Sequence, residues 1–298
     1  TLSSSSAASD VYKRQHLAGA LDEPDIAAKY RKGHKQRWFS FEIISIEGYI
    51  QFVIRTETML RDLVEAAMYA QYPDAEIIEI EDYTSAVPDT FPNDTHDLWA
   101  VDFALAESEA IPIRSYRDFE HSISKDTVLK DPMGTFLESF SRIGPGEQMW
   151  FQIIVQPVNN GWKKKAIEII EEMLGKKVTK KGNAVVDALS NAPINAIGML
   201  NETVFGPSES DLKKGEVEKK EEAKRVSDLT PGQVKLIEAI EEKIMKIGFK
   251  TKLRGMYIAE KQVFRPERGA QALVGAVSQF NIPSHNSLIP KYGVDASY

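Results

Sequence analysis

The sequence has no cysteine. Disulfides, iron–sulfur clusters, thiolate zinc sites and cysteine nucleophiles are excluded together. It has no run approaching the roughly 18 apolar residues of a membrane-spanning helix, and its first residues lack an apolar signal core. It has no excess of positive charge. With 37 Lys and Arg against 44 Asp and Glu, the net charge of -7 argues against a dedicated nucleic-acid-binding domain, though not against a local basic patch. It also lacks the loop G-x-x-x-x-G-K-[ST] that cradles phosphates, a strand-linked G-x-G-x-x-G, and the G-x-S-x-G of a nucleophile elbow. Gly175-Lys176-Lys177 follows a helical stretch and carries no Ser or Thr for magnesium. What is present is ordinary globular material. The 298 residues are 42% hydrophobic, enough to bury two cores.

The first 15 residues, TLSSSSAASDVYKRQ, fit neither helical nor strand periodicity and resemble a spurious end from sequence assembly; residues 1–36 are expected to be disordered. A β-hairpin is expected over 38–55, with Phe39, Phe41 and Ile43 alternating against Ile50, Phe52 and Ile54 around Glu47-Gly48. A helix follows over 59–72 on Leu60, Leu63, Val64 and Ala67, closed by Pro73. Alternation predicts strands over 76–83 and 98–106. A short edge strand is expected over 111–114, where Pro112 limits pairing. Asp131-Pro132 starts a helix that buries Phe136 and Phe140. Residues 148–156 form a strand ended by Pro157. From Ile50 onward this is the order β, α, β, β, α, β, and the fold class expected is α+β, with a ferredoxin-like lobe over 37–160.

Residues 161–207 form a helical connector, with a confined stripe of Trp162, Ala166, Ile169, Ile170 and Met173 and a broken helix over 183–200. Residues 208–228 are a charged linker with little to bury. A second, smaller α+β lobe is expected over 229–281. It holds a helix capped by Thr230-Pro231-Gly232-Gln233, a strand over 249–260 and a helix after Pro266. Residues 282–298 are read as an irregular, truncated tail.

Candidate chemistry is sparse. The five His are dispersed, and His96 with Asp94 and Asp97 in the Pro-rich loop is the nearest approach to a metal or acid–base cluster. A solvated turn is the simpler account of it, since a metal or acid–base site needs a further ligand or carboxylate from another element. Glu79 and Glu81 share a strand face, as paired carboxylates would, but a half-exposed strand needs glutamates there in any case. Two basic runs suit phosphate, on nucleic acid or on a lipid surface: Lys29, Arg31, Lys32, Lys35 and Arg37, and then Lys163, Lys164 and Lys165. Trp150, Gln152 and Ile154 share a mixed strand face and are the candidate interface with another domain.

Three stretches resemble a known but uncharacterised region. They are FSFEIISIEGYIQFVIRTETMLRDLVEAAMYAQYPDAEIIEIEDYT at 39–84, GEQMWFQIIVQPVNNGWKKKAIEII at 146–170, and LTPGQVKLIEAIEEKIMKIGFKTKLRGMYIAEKQVF with AVSQFN, ending at 281. The region is found in membrane-associated proteins of candidate-phylum bacteria. There it lies between membrane helices and, in some cases, a conjugation-type DNA-pumping ATPase of the HerA or TraC kind. The resemblance implies a non-catalytic accessory or assembly domain of a type IV secretion or conjugative transfer machine, with no cofactor. It places the chain on the cytoplasmic face of the cell membrane, attached through an upstream segment. It implies an ATPase domain or subunit as neighbour, with DNA contact and homo-oligomerisation as further expectations. Alternatives are a nucleic-acid-contacting domain of the same machine and a stand-alone protein-interaction module.

Overall fold

A computed structural model describes residues 17–21, 35–115, 118–119, 132–175 and 229–292. Residues 1–15, Lys29, Arg31, Lys32, the expected broken helix over 183–200 and the charged linker over 208–228 lie outside the described residues. In chain order the elements are β1 (Phe39–Ile46), β2 (Tyr49–Arg55), α1 (Arg61–Tyr69), β3 (His96–Leu105), α2 (Pro132–Ser141), β4 (Glu147–Pro157), α3 (Lys163–Met173), α4 (Pro231–Ile244), β5 (Phe249–Glu260), α5 (Pro266–Ser278) and β6 (Leu288–Lys291). They divide into two compact units. The first holds residues up to 108, 113–158 and those from 249 onward; the second holds 109–112 and 159–248.

The first unit is an α+β structure built on one six-stranded antiparallel sheet, in the order β2-β1-β4-β5-β3-β6. The hairpin β1–β2 turns at Glu47 and Gly48, both at positive φ, as a tight primed turn requires. β3 and β4 are both antiparallel to β5, which lies between them, so α2 makes a crossover between parallel strands. β5 and β6 flank β3 in the same manner, and α5 makes the second crossover.

One sheet face is covered by these helices. Ile43, Val101, Phe103, Met149, Phe151 and Tyr257 from the strands meet Phe136 and Phe140 of α2 and Leu273, Ala276 and Val277 of α5. Each side chain appears at every second strand position and on one stripe of its helix, as the two periodicities dictate. At one end of the same face α1 brings Leu60 and Val64 onto Phe39. Gly255 and Gly269 lack side chains where helix and sheet meet most closely: a Cβ on Gly255 would lie 2.2 Å from Leu273 Cδ2, and one on Gly269 2.4 Å from Tyr257 Cδ2.

In the second unit, α3 and α4 pack together through Ala166, Ile167, Ile170, Ile237, Ile240 and Ile244, with Ala110 added to the cluster. Thr230 and Gln233 close a reciprocal capping box at the start of α4, as their spacing predicts. Lys243 Nζ donates to the Glu109 carbonyl at 2.5 Å, tying the short 109–112 segment to α4.

Several expectations are corrected. Residues 76–82 form no strand and Tyr83 opens a 3-10 turn; Ile77, Ile78 and Ile80 are exposed there. Residues 111–114 form no strand either. The strand expected in a second lobe, β5, lies at the centre of the first sheet, because its long apolar face finds its partners in β3 and β4. The expected irregular tail contains β6, which pairs with β3 despite Pro290 because it is an edge strand. Finally, the apolar faces of the described helices close on the sheet or on one another, and none of these helices is long and apolar enough to cross a membrane. This overturns the reading of a membrane-associated chain on the cytoplasmic face of the cell membrane.

Candidate functional site

The sheet face opposite the helices carries the chemistry of the first unit. Register places Val53, Glu42, Gln152, Arg254, Asp102 and Lys291 in one row across β2, β1, β4, β5, β3 and β6. A period of two puts all of them on this one face. The row has a closed half and an open half.

The closed half is roofed by residues 83–91. Tyr83 packs edge-on against Trp150, with ring centroids 4.8 Å apart, and Val87 and Phe91 join Ile44, Trp150 and Ile258 beneath. Under this roof the Tyr83 hydroxyl donates to Glu42 Oε2. Gln152 Nε2 donates to the Tyr83 oxygen at 2.9 Å and lies 3.4 Å from Glu42 Oε2. Glu42 is only 3% exposed, so its carboxylate depends on these donors in place of water. Burial, and then the bond to Glu42, push the Tyr83 hydroxyl well above the usual phenol range. The roof is pinned at its start by Asp82, which accepts from the Thr84 hydroxyl at 2.6 Å and amide at 3.0 Å and pairs with Arg55. The Thr84 hydrogen bonds lead in holding the Asp82 carboxyl below its ordinary range.

The open half is basic. Lys250, Lys252 and Arg254 alternate along β5 on this face, and Lys291 follows on β6. Asp102 is flanked by Lys252 Nζ at 2.9 Å and Arg254 Nε at 3.2 Å. Lys250 and Lys291 are exposed. One carboxylate among four cations leaves local positive charge on a protein whose net charge is -7.

A second buried pair lies on the helix face. Tyr257 donates to Glu147 Oε1 at 2.5 Å and accepts from the Arg265 amide at 3.2 Å. Glu147 Oε2 accepts from the Gly144 amide at 2.7 Å, with Arg268 3.9 Å away. Burial and the Glu147 bond push the Tyr257 hydroxyl up to about 12.

The structure disperses most of the sequence-derived candidates. Trp150 and Gln152 are buried under the protein's own roof, so they do not form a free interface; Ile154, further along β4, is half-buried. His96 and Asp97 start β3 on alternate faces, His96 Nδ1 lies 2.9 Å from Thr95 Oγ1, and Asp94 is exposed. Among the described residues no group of three His, Asp or Glu side chains could hold a metal ion. Glu79 pairs with Arg61 at 2.9 Å and Glu81 is exposed. In the second basic run Lys163 is buried, which lowers its affinity for a proton; Lys164 is half-buried and Lys165 faces solvent, 4.0 Å from Glu109. Of the first run, Lys35 is exposed and Arg37 stands 3.7 Å from Glu57. The sequence reading missed Glu42, Tyr83, Lys250, Lys252, Arg254 and Lys291. Glu42 did leave a trace, as a lone carboxylate inside the apolar stretch FSFEIISI.

A family model described as "Domain of unknown function (DUF8128)" matches residues 15–286. No curated protein and no solved structure matches the chain. These comparisons supply no tie to conjugation or type IV secretion, and those terms rest on the resemblance of the quoted stretches alone.

Proposed function

The chain belongs to the DUF8128 family, and from that premise we propose that it is a non-catalytic accessory and assembly domain that works by surface contact. The finer fold reading is ferredoxin-like, with strands other than those first expected. The unit β3-α2-β4-β5-α5-β6 has the βαββαβ order and the strand sequence β4-β5-β3-β6 that such a sheet would show, extended beyond β4 by the β1–β2 hairpin. Residues 159–248, which make up most of the second unit, are then an insertion between β4 and β5.

The observation that carries the functional reading is the division of the polar row. Its buried acid, Glu42, is engaged by Tyr83 and Gln152, whereas its accessible groups are cations lying flat on a sheet. A flat, charged surface suits a macromolecular partner with acidic groups. The partner that the sequence resemblance names is an ATPase domain or subunit of a conjugative DNA-transfer machine. The test is equilibrium binding between the purified chain and a conjugation-type ATPase of the same genome. Binding that weakens at least tenfold in a Lys252→Glu/Arg254→Glu variant is the expected outcome. Equal binding by the variant, or none by the parent chain, refutes the reading.

The alternation of Lys250, Lys252 and Arg254 on one strand favours one second reading, contact with a nucleic-acid backbone. Affinity for a single-stranded oligonucleotide would then fall steeply with salt, with a slope reduced by the same variant. Binding that is indifferent to salt refutes it.

A further inference from the structure

Among the described residues both outer strands of the sheet lack a further strand neighbour, but only one edge is undefended. β6 is four residues long, carries Pro290 within it and ends on Lys291, three of the devices that blunt an edge. β2 runs seven residues, YIQFVIR, with a single charge at its last position. Phe52 in its middle is 67% exposed and Tyr49 at its start is 70% exposed. An edge this long and apolar invites another strand.

The backbone direction along β2 follows from the hairpin. Ile46 and Tyr49 face each other across the two-residue turn, so Tyr49, Gln51, Val53 and Arg55 direct their amides and carbonyls toward β1. Ile50, Phe52 and Ile54 direct theirs outward. A second copy of β2, laid antiparallel with Phe52 opposite Phe52, pairs all three outward-facing residues at once. Ile50 then stands opposite Ile54, and the two Phe52 rings meet on the helix face. On the other face Gln51 stands opposite Val53, and Tyr49 opposite Arg55. Within β2 no like charges oppose each other in this register.

The other unpaired strand-like segment, 76–82, makes the contrast. Paired with itself about Glu79 it would set Glu79 against Glu79 and Glu76 against Asp82, a repulsive arrangement in a chain already at -7.

We propose that the β2 edge is a homodimer interface, in which two copies join through antiparallel β2 strands centred on Phe52 into one continuous sheet about a two-fold axis. This rests on the assembly reading above and goes beyond it by naming the edge, the register and the occupant. The dimer is measured with the chain alone and partner docking with the ATPase added, so either can fail without the other.

The experiment is light scattering on the full chain during size exclusion. The expected mass is twice the 33.4 kDa of one chain, and Phe52→Lys, which sets two ammonium groups against each other, returns it to that of one chain. Phe52 is largely exposed, so the variant should keep its circular dichroism spectrum, which separates lost pairing from lost folding. Register is read by cysteine pairing, which the cysteine-free sequence makes unambiguous. A mixture of Gln51→Cys chains and Val53→Cys chains should oxidise to covalent dimers far faster than either variant alone. A parent chain that stays monomeric at every concentration overturns the proposal. So does a dimer that survives Phe52→Lys, or a mixture that cross-links no faster than its components.

Discussion

Gly255→Ala adds one methyl group at the tightest point between helix and sheet in the first unit. Gly255 lies in β5 between Phe151 of β4 and Val101 of β3. The new Cβ would stand 2.2 Å from Leu273 Cδ2 and 3.4 Å from Phe103 Cε2. Leu273 is fully buried, and its neighbours Val101, Phe103 and Tyr257 are buried too. The Leu273 side chain must retreat by about 1 Å to reach ordinary contact, and the packed core has no space prepared for it. Overpacking of this kind costs about 1–3 kcal/mol. Replacing a strand glycine returns about 0.5–1 kcal/mol through the lost freedom of the unfolded chain. The net loss expected is about 1–2 kcal/mol, read as a lower midpoint in urea denaturation followed by tryptophan fluorescence.

The companion Leu273→Ala should cost about 2–5 kcal/mol alone, by opening a cavity. The double variant should then cost less than the sum of the two, because the methyl at 255 enters the space that Leu273 vacates. A Gly255→Ala protein as stable as its parent, or a double variant whose costs simply add, would show that the approach of α5 to β5 is not the constraint described.

Tyr83→Phe removes the hydroxyl donor from the buried Glu42 carboxylate, and a loss of about 1.5–3 kcal/mol is expected in the same denaturation assay; an unchanged midpoint would mean that the roof is held by its apolar contacts alone. Tyr83 and Tyr257 both keep their protons in the folded state beyond the ordinary phenol range. Their contribution to stability is therefore complete below pH about 10 and is lost as pH rises above it. For Tyr257 the loss runs through about 12, and Tyr257→Phe should abolish that part of the decline in pH-dependent melting. In the second unit, Thr230→Ala opens the capping box of α4 and should cost about 1 kcal/mol, with Thr230→Ser restoring most of it.

Local rules read well in this sequence. The β1–β2 hairpin, the capping box at Thr230 and the helix after Pro132 follow from turn chemistry, reciprocal side chains and apolar spacing, and all three stand in the structure. Pairing did not read as well. Residues 76–83 have a strand's alternation, but alternation says only that two faces differ, not that an edge lies alongside to bond with. β5 was legible as a strand, yet nothing local says that its partners are β3 and β4 and not a sheet of its own. The Glu42–Tyr83–Gln152 network has the same origin. Each side chain sits far along the chain from the other two, and only the register of β1 against β4, with the roof over both, brings them together.

Pro157 stands opposite Phe249 in the register of β4 and β5. The chain therefore departs from the sheet and re-enters it at adjacent points, with residues 159–248 of the second unit strung between them. The entropy of closing such a loop grows only with the logarithm of its length, so a long insertion here burdens the sheet little more than a short turn would. During synthesis on the ribosome, β4 emerges and must wait for its central neighbour until α3 and α4 have both been made. A brief linker across the same two points would keep every strand of the frame while removing that delay.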